Sequence, residues 1–106
     1  MIKKLSSTGN MYYFYLTKTT LELMKLNPLT SKLLIQINNR VMYITKADDK
    51  ILNSEDNYCI REIRKTGSGF GVFFTQTMFE FMDINPETDS VDINIKNDAI
   101  ILKKAV

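Results

Sequence analysis

Fourteen Lys and Arg stand against twelve Asp and Glu, and the chain contains no histidine. The chemistry this composition offers is therefore charge recognition. Residues 1–47 carry seven basic groups against Glu22 alone, whereas residues 48–59 carry Lys50 against four acids. In the second half the basic groups Arg61, Arg64 and Lys65 precede a glycine-rich run, and the acids other than Glu62 lie farther on. Lys and Arg gathered this way on adjoining segments suit the neutralisation of phosphates, so a polyanion-facing edge competes with an ordinary solvated surface.

Other chemistries fit poorly. The run Gly67, Ser68, Gly69, Phe70, Gly71 invites a phosphate-loop reading, but the third glycine of GxGxxG would fall on Val72. A dinucleotide loop must also open a helix, and this run opens a strand. Without histidine there is no His-based triad, general base or metal ligand. Glu22 and Glu80 read as helix-start residues, and Asp83, Glu87, Asp89 and Asp92 as a solvated acidic rim. We expect no enzyme, no cofactor and no metal. Cys59 is the one cysteine, which rules out an internal disulfide and suits a reducing cytoplasm. The opening residues MIKKLSSTGN lack a secretory apolar segment, and no apolar run approaches the ~20 residues that span a bilayer. We expect a cytoplasmic protein with no membrane partner. Tyr12, Tyr13, Phe14, Tyr15, Phe70, Phe73 and Phe74 form an aromatic cluster with two readings, core packing or stacking platforms for single-stranded nucleic acid.

The elements that position these residues come from a tandem repeat. TKTTLELMKLNPLT at 17–30 returns as TQTMFEFMDINPET at 75–88, and the same offset of 58 aligns residues 2–47 with 60–105. Fifteen of the forty-six pairs are identical, including Thr8/Thr66, Gly9/Gly67, Glu22/Glu80, Asn27/Asn85 and Pro28/Pro86. Turn residues kept at a constant offset indicate duplication. The expected organisation is repeat 1 at 1–47, an acidic connector at 48–59, and repeat 2 at 60–106. A repeat of this length buries too little surface alone, so the two should share one core.

Each repeat reads strand, strand, helix, strand, strand. IKKLSS and IREIRK form first strands ending at a glycine turn, followed by strands at 11–16 and 70–74. Apolar residues at i, i+3 and i+4 then predict helices over Thr20–Met24 and Met78–Met82. Thr19 with Glu22, and Thr77 with Glu80, have capping-box spacing, while Thr17 and Thr75 are rival N-caps. The helices end near Leu26 and Ile84, because Asn27 and Asn85 precede prolines. Strands at 33–37 and 91–95 follow, the latter with Val91, Ile93 and Ile95 inward, and Asn-rich turns lead into strands at 41–45 and 99–103.

In this order of elements the second repeat, IREIRKTGSGFGVFFTQTMFEFMDINPETDSVDINIKNDAIILKKA, resembles the SpoVT/AbrB and MazE-like domains. Those read as a basic first strand, a Gly/Ser/Asn turn, V-x-I-P, a short helix, D-x-V-x-I and a final hairpin strand. The resemblance covers nearly the whole chain in two copies. It implies a mostly β fold with two short helices, a swapped-hairpin (double-psi-like, AbrB-type) barrel built from two ββαββ repeats about a pseudo-twofold axis. It further implies DNA binding through basic first strands and the adjoining turns, by a transcription regulator or an antitoxin.

Carried onto this sequence, the implied DNA-binding residues are Lys3, Lys4, Asn10, Arg61, Arg64, Lys65 and Ser68. The basic pair before the turn is Arg64–Lys65 in repeat 2 but Ser6–Ser7 in repeat 1. Where the family often has Arg in V-x-I-P this chain has Tyr15 and Phe73, and the proline is replaced by Thr17 and Thr75. The expected partner is duplex DNA, with a protein partner such as a toxin and a homo-oligomer as further possibilities. The alternative is a protein-interaction module that keeps the barrel without DNA binding.

Overall fold

The computed structural model describes residues 2–8, 11–48, 59–67, 69–96 and 98–105. Among these described residues, ten strands and two short helices follow in chain order: β1 (Ile2–Lys3), β2 (Ser6–Thr8), β3 (Met11–Leu16), α1 (Lys18–Leu23), β4 (Lys32–Asn38), β5 (Val41–Lys46), β6 (Cys59–Glu62), β7 (Arg64–Thr66), β8 (Gly69–Phe74), α2 (Gln76–Phe81), β9 (Val91–Lys96) and β10 (Ala99–Lys104). All pairings among them are antiparallel. The fold is mostly β, as expected. Its strands form one six-stranded sheet, β1-β9-β10-β5-β4-β6, and one four-stranded sheet, β2-β3-β8-β7. Neither closes into a barrel among the described residues.

The offset of 58 carries from sequence into pairing. Exchanging the two repeats maps each sheet order onto its own reverse. Equivalent residues meet at the centre of each sheet, Tyr43 opposite Ile101 and Phe14 opposite Val72. The repeats also cross-pair at the edges: β1 of repeat 1 lies on β9 of repeat 2, and β6 of repeat 2 lies on β4 of repeat 1.

The single first strand expected in each repeat is instead two. Ile2–Lys3 and Ser6–Thr8 belong to different sheets, with Leu5 buried between them. Cys59–Glu62 and Arg64–Thr66 divide in the same way around buried Ile63. An apolar side chain pulled into the shared core bends the strand from one sheet to the other, which the six-residue segment does not reveal locally.

The helices start two residues earlier than the capping-box spacing suggested, at the rival N-caps Thr17 and Thr75. Thr17 is the N-cap of α1, and its hydroxyl accepts the Thr20 N–H at 3.2 Å. Buried Thr20 also shares a 2.9 Å hydroxyl contact with Thr17. Thr75 holds the equivalent position on α2 without a side-chain cap bond, and Met78 there has no hydroxyl to meet it as Thr20 meets Thr17. Both helices stop at Leu23 and Phe81, before Leu26 and Ile84. The N–H groups of Leu26 and Lys25 bond back to the carbonyls of Leu21 and Glu22, and those of Ile84 and Asp83 to Phe79 and Glu80. This Schellman arrangement holds Lys25 and Asp83 at φ of 54° and 56°.

The repeated Asn-Pro segment is a turn device. The Asn27 carboxamide accepts the Leu29 N–H at 3.0 Å, and Asn85 accepts Glu87 N–H at 3.1 Å. At the β4–β5 hairpin Asn39 and Arg40 both have positive φ, the requirement of a two-residue type I′ turn.

The core is drawn from both repeats: Phe14, Leu33, Met42, Ile44, Val72, Phe74, Phe79, Ile100 and Leu102 are all buried. Each such side chain is worth roughly 1.5–3 kcal/mol of burial, so neither repeat retains this core alone. The radius of gyration, 13.3 Å, is that of one compact domain. Val91 and Ile93 face inward as expected, but Ile95 is 39% exposed at the sheet's end. Most of the expected connector lies outside the described residues.

Candidate nucleic-acid interface

The four-stranded sheet has one face on the core and one outside. Strand alternation sends Phe14, Leu16, Val72 and Phe74 inward, so Tyr13, Tyr15 and Phe73 emerge on the opposite face. Tyr13 stands opposite Phe73 with the rings stacked, centroids 5.4 Å apart and planes 23° from parallel. Tyr15 meets Tyr13 edge-on at 5.0 Å and is 41% exposed. The Arg64 guanidinium lies over the Phe73 ring at 5.4 Å, making a column of Arg64, Phe73 and Tyr13. The aromatic cluster thus divides between the two readings: Phe14 and Phe74 are core, and Tyr13, Tyr15 and Phe73 form a surface.

Glycines keep this surface low. Gly71 pairs with Tyr15 on one side and Arg64 on the other. A Cβ there would come within 3.2 Å of the Phe14 carbonyl oxygen, too close without a shift. The Tyr15 ring lies across Gly69, 3.8 Å from where a Cβ would stand. Gly67 takes φ +58° in the turn after β7, the conformation glycine adopts most freely.

Of the expected site residues, Arg61 and Arg64 come together in one open cleft of about 340 Å³ beside the column, with Met11, Ile60, Glu62 and Phe73. Lys65 pairs with Phe70 and so alternates to the other side of β7, where it remains exposed. Lys4 is exposed between β1 and β2, while Lys3 is half-buried with its ammonium 5.4 Å over the Phe14 ring. Asn10 and Ser68 lie outside the described residues. The sheet order puts β2 and β7 at opposite edges, three strand spacings or ~14 Å apart. Arg64 therefore stands on the aromatic face at the β7 edge, whereas the β2 edge presents Ser6 and Ser7 and the basic residues of repeat 1, Lys3 and Lys4, precede it.

Glu62 is the acid in the cleft, and Lys32 meets it at 3.6 Å with both side chains largely solvated. Such a pair is worth little and leaves the carboxylate accessible. The Tyr13 phenol is held above the usual tyrosine range, first by its hydrogen bond with Tyr15 and then by desolvation, with Ser6 acting the other way. Tyr12 is also raised, first by desolvation and then by Glu87, which accepts its hydroxyl at 3.4 Å. Both therefore stay neutral phenols. Among the described residues no group of His, Cys, Asp or Glu could hold a metal ion, and no helix is long and apolar enough to cross a membrane.

Comparison with protein-family models, with curated proteins and with solved structures finds no match. Functional assignment consequently rests on the face itself. Sequence alone named the aromatic segment without its orientation. The signal was strand parity: once Phe14 and Phe74 are inward, Tyr13, Tyr15 and Phe73 must be outward.

Proposed function

We propose that this chain is a DNA-binding regulator of the SpoVT/AbrB or MazE type. On this reading duplex DNA contacts the basic segments of both repeats, through Lys3, Lys4, Arg61, Arg64 and Lys65. The observation that carries the reading is the symmetric four-stranded sheet, whose edges hold β2 and β7 about 14 Å apart. That separation is close to the ~12 Å width of the major groove, so Arg64 on β7 and the exposed Lys4 just ahead of β2 suit phosphates on either side of it. The cross-pairing of β1 with β9 and β6 with β4 supports the finer architecture, a swapped-hairpin barrel with both repeats in one chain.

The edges are unequal. Arg64 and Lys65 on β7 correspond to Ser6 and Ser7 on β2, so the DNA site is asymmetric and need not be palindromic. Tyr15 and Phe73 replace two Arg positions of the family pattern, lowering the electrostatic share of affinity. A protein-interaction module is the second reading. It is favoured by Leu23 and Phe81, equivalent residues of the two helices that are 58% and 72% exposed.

Anisotropy titration with duplex DNA at ~50 mM and ~200 mM salt tests the proposal, because phosphate contacts make affinity fall steeply with salt. Steep loss with salt is the expected result. No binding at the lower salt, or binding indifferent to salt, would remove the DNA reading and leave the protein-interaction module.

A further inference from the structure

Phosphate contact accounts for the arginines and lysines at the edges of the sheet, but not for three aromatic rings and a carboxylate between them. We infer that the cleft beside β7 takes an unpaired DNA base with an exocyclic amine where thymine and guanine carry a carbonyl, cytosine or adenine, held against the Arg64–Phe73–Tyr13 column. The inference rests on the DNA reading for its backbone contacts and adds the part of the ligand that enters the cleft.

Three observations converge on a base as the occupant. The first is the column. Arg64 over Phe73 at 5.4 Å and Phe73 on Tyr13 at 5.4 Å give a planar stack that reaches the cleft, since Arg64 and Phe73 both line it. Bases taken out of a duplex stack on aromatic rings and guanidinium planes, and do so with any sequence because every base has a π-face. The second is exposure. Tyr15 lies across Gly69 and still leaves 41% of itself to solvent, so a neighbouring nucleotide has its own plate.

The third is the charge pattern. Arg61 and Arg64 suit a phosphate, whereas Glu62 in the same cleft opposes a phosphate beside it. A carboxylate instead accepts from an amino group such as the N4 amine of cytosine. Lys32, 3.6 Å from Glu62, pairs with the carboxylate without closing it off, because the Glu62 side chain is 74% exposed. Thymine, with carbonyls where cytosine has its amine, meets repulsion at Glu62. The site thus discriminates by one contact to the base edge on a sequence-tolerant stack.

The test uses the whole chain and labelled oligonucleotides of one length: single-stranded oligo-dC, oligo-dT, oligo-rC and a mixed-sequence duplex. Expected is oligo-dC bound about tenfold more tightly than oligo-dT, the discrimination typical of one good base contact. Glu62→Gln should abolish that preference while retaining salt-dependent duplex binding. Arg64→Lys keeps the charge but not the plate, and should weaken oligo-dC by roughly five- to a hundredfold. Both side chains are exposed, so neither variant threatens folding. Equal affinity for dC and dT, or a dC preference that survives Glu62→Gln, overturns the inference while salt-dependent duplex binding keeps the DNA reading. Tighter binding of oligo-rC than oligo-dC overturns the assignment to DNA. No binding to any of the four overturns both.

Discussion

Arg64 and Ser6 are equivalent residues on the two edge strands, one basic and one not, and exchanging their characters gives a prediction of defined size. Each phosphate contact adds about 0.9 to the slope of log affinity against log salt. Over a fourfold rise in salt, from ~50 to ~200 mM, one contact therefore changes affinity by about 3.5-fold. Five contacts, from Lys3, Lys4, Arg61, Arg64 and Lys65, correspond to a loss of about 500-fold over that interval. Arg64→Gln should shrink the loss to about 150-fold, and Ser6→Arg should enlarge it to about 1,800-fold. Arg64→Lys, which keeps the charge, should leave the slope where it was. Ser6 pairs with Tyr13 on an edge strand, as Arg64 pairs with Gly71, so the new guanidinium extends beside the aromatic face without entering the core. The assay is duplex anisotropy across a salt series, with far-ultraviolet circular dichroism to verify folding. An Arg64→Gln slope equal to that of the unaltered chain would refute the placement of DNA at β7.

Three further predictions concern what holds this face in place. Phe79→Ala should cost about 3–5 kcal/mol by urea unfolding, since the ring is fully buried against Tyr12 and Phe74, whereas Leu21→Ala at the half-buried equivalent position should cost distinctly less. Thr17→Ala should cost about 1 kcal/mol through loss of the cap bond, and Thr75→Ala much less; equal costs would contradict the cap asymmetry. Tyr12 and Tyr13 should ionise above the ordinary tyrosine range in an ultraviolet phenolate titration. Their folded pKa values lie above the unfolded value near 10, so their contribution to stability is complete below that pH and is lost as pH rises past it. Tyr13→Phe should remove one late step.

Local features were readable from sequence. The offset of 58, the two helices, the Asn-Pro stops and the β4–β5 hairpin all follow from residues close along the chain, such as Asn27 with Pro28. What escaped depended on distant neighbours. Leu5 and Ile63 divide the first strands only because a core built from both repeats is there to receive them. Ile95 keeps the apolar alternation of Val91 and Ile93 yet runs past the end of the core. Thr19 and Glu22 have capping-box spacing, but Thr17 captures the helix start through its contact with Thr20. For the candidate site, composition identified the basic segments, while the outward turn of Tyr13, Tyr15 and Phe73 needed the register of β3 on β8. The seclusion of Lys3 over Phe14 and the separation of Lys65 from Arg64 likewise came from pairing.

The central claim is where DNA sits, and amide chemical-shift mapping with a duplex at low salt tests it most directly. The predicted result is a set of perturbations concentrated in Ser6–Thr8, Arg61–Thr66 and the paired strands β3 and β8, fading as salt is raised. Perturbations confined to α1, α2 and the turn from Asp83 to Asp89, or none at all, would contradict it.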